Sequence, residues 1–139
     1  MVRQGRKLFS LGEAATLAAM GMAVASGALP WEVRQPESAL PTPLPAVFVS
    51  RLTMTVIGFD VRIGWLRAGW IVLACAVVCG TLLLWEPTSA QRRAYLAIQT
   101  ALGVVALVVA LVHVGPHLGV ILGALSGILM IAGAYARYR

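Results

Sequence analysis

A chain of 139 residues that is 60% hydrophobic and 12% charged, with a mean hydropathy of +0.87, carries too little polar surface to coat a soluble fold of its size. A bilayer removes that conflict, so the expected class is an all-α membrane protein. The net charge of +6 does not point to nucleic acid, because the basic residues flank apolar runs instead of sharing one solvated face.

The first apolar run, Phe9 to Leu29, follows Arg3, Arg6 and Lys7 and ends at Pro30-Trp31. Roughly 20 apolar residues cross a hydrocarbon core, so the run is long enough to span. A competing reading is a signal peptide cleaved near Ala23-Val24-Ala25 and Ser26. Glu13 within the run, and the run's length, favour a retained helix.

Residues 30–65 form the one long polar connection. Its early part, RQPESALPTPLP, predicts an extended polyproline-like segment. Further on, Leu52, Met54 and Val56 alternate with Thr53 and Thr55, the period of a strand with one covered face. Gly58 and Asp60 would turn that strand into a second, Val61 to Ile63, giving a small β-hairpin clipped by Arg51, Asp60 and Arg62. Such a hairpin needs a surface to pack on.

The second span runs from Leu66 to Trp85 and is broken by Glu86-Pro87. The third runs from Ala94 to Val114, and Gly115-Pro116 turns the chain into a fourth, Leu118 to about Ala136. The expectation is one membrane domain over 1–139: a four-helix bundle with spans near 9–29, 66–85, 94–114 and 118–136, and an extracytoplasmic loop at 30–65. Arg3, Arg6, Lys7, Arg92, Arg93, Arg137 and Arg139 would lie inside, against Arg34, Arg51, Arg62 and Arg67 outside. That bias puts both termini in the cytoplasm. Trp31, Trp65 and Trp70 would mark the outer interface and Trp85 the inner one.

Two small-residue ladders stand out. Gly119, Gly123 and Gly127 line one face of the fourth span, and Ala15, Ala19, Ala23 and Gly27 one face of the first. Residues four apart share a face, and missing side chains let a second backbone approach closely, a main source of helix association in lipid. Either the two ladders close the chain's own bundle, the favoured reading, or one docks another chain.

Glu13 is the one carboxylate within a span, near its basic end, and reads as an interfacial residue reaching toward Lys7 or the headgroups in preference to a proton-relay carboxylate. Gln99 and Thr100 read as interhelical hydrogen-bond partners. His113 and His117 bracket the Gly115-Pro116 turn as cofactor-ligand candidates, but no HxxxH, CxxC or carboxylate cluster accompanies them. Cys75 and Cys79, four apart on one helix, cannot form a disulfide and read as small packing residues. No nucleophile–base pair, phosphate loop or paired carboxylates point to an enzyme.

The sequence GALPWEV after the first span, then FDVRIGWLRAGW, three further spans and a basic tail, resembles a loose group of uncharacterised small bacterial four-helix membrane proteins. The resemblance rests on Leu29, Pro30, Trp31, Gly64, Trp65 and the glycine-rich last helix. It implies a bacterial inner-membrane location and no particular activity. Claudin-like and tetraspanin-like proteins share a long first outer loop, but here that loop lacks cysteine. The leading functional expectation is a non-enzymatic accessory or structural subunit, with the bilayer and a membrane-protein partner or a second copy as its contacts. Alternatives are a haem- or chlorin-binding subunit using His113 or His117, and a small homo-oligomeric transporter or channel with Glu13 and Gln99 facing a pore.

Overall fold

The computed structural model describes residues 10–34, 54–113 and 117–138. Helix α1 spans Leu11–Ala28, α2 Ala68–Leu82, α3 Arg92–Val112 and α4 Leu118–Tyr138; four short strands are β1 (Pro30–Arg34), β2 (Met54–Ile57), β3 (Arg62–Ile63) and β4 (Leu66–Arg67). The helices run up and down in turn. Helix α4 packs on α1 and α3, and α2 touches the same two, so the four close a ring.

The buried positions explain this arrangement. In α1 they include Gly12, Thr16, Ala19, Ala23 and Ser26; in α4 Gly119, Gly123, Ser126, Met130 and Gly133; in α3 Gln99, Gly103, Ala106 and Ala110. Spacings of four and three alternate in all three helices, which is the 3.5-residue period of a left-handed supercoil. Most of these residues are small. A Cβ built on Gly127 would meet the Gly103 carbonyl oxygen at 2.7 Å, and one on Gly133 would meet the Thr16 hydroxyl at 2.7 Å. Large apolar side chains such as Leu17, Val104, Val108, Leu111, Ile121 and Ile128 face outward instead. Small and polar inside with bulky and apolar outside suits hydrocarbon as the solvent.

Helices α1, α3 and α4 are each long and apolar enough to cross a membrane. Helix α2 has 15 residues, shorter than the expected Leu66–Trp85 span. At its start, the Ala68 N–H donates to the Val61 carbonyl (2.8 Å) and the Gly69 N–H to the Gly58 carbonyl (2.9 Å). The preceding loop therefore satisfies amides that another helical turn would have covered. At the other end the helix closes at Leu83, where the Leu83 N–H donates to the Gly80 carbonyl (3.0 Å) and the Leu84 N–H to the Thr81 carbonyl (3.1 Å).

The strand pairing also departs from expectation. Strand β2 does not fold onto Val61–Ile63; it pairs antiparallel with β1, directly after α1. Arg62–Ile63 instead pairs with Leu66–Arg67 across Gly64 and Trp65, where Gly64 takes a positive φ of 62° that suits glycine. Asp60 ion-pairs with Arg67 at 3.5 Å, not with Arg62. Arg51 and the proline-rich segment lie outside the described residues.

Glycine placement gives a direct test. Gly127→Ala forces a methyl between α3 and α4, whereas Gly21 has nothing within 4 Å of its Cβ position. Gly127→Ala is expected to destabilise the bundle by about 1–3 kcal/mol. Gly21→Ala should leave stability level or raise it by up to about 1 kcal/mol. Unfolding in detergent, followed by circular dichroism, distinguishes the two.

Candidate functional site

The chain's polar chemistry falls at three depths in the bundle. At one end Trp31 is the organising side chain. Register in the β1–β2 pair shifts between Pro30, opposite Ile57, and Glu32, opposite Val56, so Trp31 is the extra residue of a bulge. A bulge re-aims a side chain, and the indole is buried, with 1% of its surface exposed. Its Nε1–H donates to the Ser26 carbonyl at 2.7 Å, and its ring meets the His113 imidazole edge-on at 5.4 Å. Gly58 and Gly119 leave room for it, since a Cβ on either would collide with the indole. Trp31 is therefore a core residue and not the expected interfacial anchor. Trp65, 89% exposed, and the half-exposed Trp70 and Trp85 remain at the surface.

The His113 Nδ1 lies 3.2 Å from the Val109 carbonyl oxygen, so this nitrogen carries the proton of that bond. His117 precedes α4, its carbonyl accepting the Ile121 N–H at 3.1 Å. Among the described residues the ring contact of His113 is with Trp31, and none joins the two imidazoles. Cys75 and Cys79 are buried free thiols within α2. Among the described residues no three His, Cys, Asp or Glu side chains converge as a metal site.

Mid-depth, four buried polar side chains join helices. Ser26 Oγ donates to the Gly119 carbonyl (2.6 Å), and Ser126 Oγ to the Ala19 carbonyl (2.9 Å). Gln99 Nε2 donates to Thr16 Oγ1 (3.0 Å) and to the Met130 carbonyl (3.2 Å), and Thr16 Oγ1 donates to the Gly12 carbonyl (2.9 Å). Gln99 thus links α3 to both α1 and α4. Its Oε1 and the Thr100 hydroxyl have no partner among the described residues.

At the far end Ser10 and Glu13 form a capping box. The Ser10 N–H donates to Glu13 Oε2 at 2.9 Å and the Glu13 N–H to Ser10 Oγ at 3.3 Å. The carboxylate is engaged at its own helix start, and Lys7 lies outside the described residues. Arg137 Nη2 donates to the Leu83 carbonyl (3.2 Å) and Trp85 carbonyl (3.5 Å), covering the C-terminal end of α2 with a cation. Tyr138 stacks edge-on with Tyr95 at 5.9 Å.

The ladder residues Gly119, Gly123, Gly127, Ala19, Ala23 and Gly27 are all buried. Ala15 is only half-buried, because the α1 seam passes through Thr16 instead. Gly27 faces Phe59 of the loop, and Gly119 and Gly123 face Trp31 and Ser26. Both ladders are thus filled from within the chain. Sequence reasoning missed Gly12, Thr16, Ser26, Ser126 and Gly133; the signal for them was the alternating four–three spacing of small residues, not a strict spacing of four.

These features define a helical bundle with three helices fit to cross a membrane and a polar, small-residue interior. No known protein family, curated protein or solved structure matches the chain.

If these polar groups only hold the bundle together, their removal has calculable effects. Gln99→Met removes two hydrogen bonds, each worth about 0.6 kcal/mol between membrane helices, together with an unpartnered buried oxygen. The net change is expected to stay within about 1 kcal/mol. Trp31→Ala, which empties the core at one end, should cost about 3–5 kcal/mol. Titration with sodium dodecyl sulfate from mild detergent would read both.

Proposed function

We propose that the chain is a four-span integral membrane protein of a bacterial inner membrane, with both ends cytoplasmic, that serves as a non-enzymatic accessory or structural subunit. The observation that carries this reading is the state of the interior. Ser26, Ser126, Thr16 and Gln99, the groups a conduit would line itself with, bond one helix to another. Glu13 and Gln99, the pair expected of a pore, are engaged separately, one at a helix cap and one at an interhelical junction. His113 takes a tryptophan edge as its neighbour.

The ring supports a fourth span beside the three long apolar helices. Helix α2 packs beside α1 and α3 along the same bundle, and Leu83, Leu84 and Trp85 extend its apolar run. The seam between α1 and α4 supports a retained first helix. Arg92, Arg93 and Arg137 share the end where α3 starts and α4 finishes, which supports the cytoplasmic assignment.

Topology is checked by single cysteines against an impermeant maleimide in intact cells. Thr55→Cys is expected to label and Ser89→Cys to stay protected; the reverse pattern would invert the orientation. The subunit role is checked by native mass spectrometry after gentle extraction from native membranes, with an absorption spectrum alongside. Defined additional subunits are expected. A colourless lone monomer would overturn the role, and an absorption band lost in His113→Ala would replace it with cofactor binding.

A further inference from the structure

At the Glu13 end a cavity of about 270 Å³ opens between the first turn of α1, the α2–α3 connection and the last turn of α4. Glu13, Glu86, Pro87, Arg92, Arg137 and Tyr138 line it. Two carboxylates and two guanidiniums therefore share one small concavity, yet among the described residues no ion pair joins them. Glu86 and Arg92 are exposed at its rim, while Tyr138 is buried in its wall. Two buried polar atoms on the wall residues, Arg137 Nη1 and the Tyr138 hydroxyl, have no hydrogen-bond partner among the described residues. Buried donors of this kind ordinarily have an acceptor.

We propose that this cavity receives the phosphoethanolamine headgroup of a membrane lipid, with the phosphate toward Arg92 and Arg137 and the ammonium toward Glu13 and Glu86. The charge pattern selects the ligand. A bare phosphate or a phosphatidylglycerol headgroup would bring no positive charge to the two carboxylates, only hydroxyls at most. A primary ammonium one ethyl linker from a phosphate satisfies both signs at once, and the phosphate oxygens are acceptors for the orphaned Arg137 and Tyr138 donors. A choline headgroup has the same charges but no N–H to give the carboxylates. The depth is also right: the cavity lies where three apolar helices terminate, the level at which hydrocarbon gives way to headgroups. The assignment rests on the membrane placement above and is independent of the subunit role.

The test uses the full chain, stripped of lipid in detergent and titrated in native mass spectrometry with phosphatidylethanolamine, phosphatidylcholine and phosphatidylglycerol of identical acyl chains. Phosphatidylethanolamine is expected to bind about tenfold tighter than either, the effect of one charge-assisted hydrogen bond. Arg92→Gln and Glu86→Gln alter exposed side chains and spare the core. Arg92→Gln should weaken phosphatidylethanolamine and phosphatidylglycerol alike, whereas Glu86→Gln should weaken only the former, by about five- to tenfold. Equal binding of the three lipids, tightest binding of phosphatidylglycerol, or an inert Glu86→Gln would overturn the proposal. Binding of soluble phosphoethanolamine without any lipid preference would assign the cavity to a free zwitterion and overturn the lipid source. Release of the protein from membranes by an alkaline carbonate wash would overturn the membrane placement, and the proposal with it.

Discussion

The close approach of α1 and α4 is the constraint on which the rest of the bundle depends. Gly12, Thr16, Ala19, Ala23 and Ser26 descend one helix while Gly133, Met130, Ser126, Gly123 and Gly119 ascend the other. None of these seam residues is larger than a methionine. A bundle in hydrocarbon gains nothing from removing apolar surface from water, so there cohesion comes from dispersion at short range and from hydrogen bonds at close backbone spacing. The serine hydroxyls can reach carbonyls of the facing helix, 2.6 and 2.9 Å away, only because the backbones lie so near. Small residues and serines are therefore one device: the first set brings the helices within range and the second locks their register.

That closeness dictates what happens at the two ends. At the Trp31 end the seam runs out into glycines, and the space they leave is filled by an indole delivered from a bulged strand. At the Glu13 end the same seam finishes with Gly12 against Arg137, whose Cβ and backbone leave no room for a side chain on residue 12. The guanidinium of Arg137 is then free to extend to the α2 carbonyls. One arginine thus ties the last turn of α4 to the end of α2, which has no basic residue of its own in its last turn. The bundle is held along its length by small residues and at its ends by two large ones.

Much of the helical layout was legible in the sequence, because a long apolar run bounded by charges or proline needs no knowledge of its neighbours. Three of the spans lie within a few residues of their expected bounds, at Leu11–Ala28, Arg92–Val112 and Leu118–Tyr138. What escaped depended on contacts distant in sequence. The partner of Met54–Ile57 is Pro30–Arg34, and no local turn signal announces a pairing across so long a connection. Trp31 carries the signature of an interfacial tryptophan, and only the cavity made by Gly58 and Gly119 explains its burial. Helix α2 is shorter than its apolar run because the loop carbonyls that satisfy its first amides come from residues outside the helix. At the candidate sites, Gln99 was legible as an isolated amide in an apolar run, whereas the Glu86–Arg92–Arg137 cluster required the fold to assemble it.

The β1–β2 ladder has an architectural consequence. Arg34 and Met54 face one another as the last pair of that ladder, so the chain between them leaves and re-enters the fold at adjacent points. Closing a loop across a fixed gap depends only weakly on its length, each doubling adding about 0.6 kcal/mol. The strands therefore fix the points at which the chain leaves and returns, beside the bundle. In practical terms the Arg34–Met54 pair is a port, a closed doorway at which an epitope or a reporter can be joined beside the helical bundle.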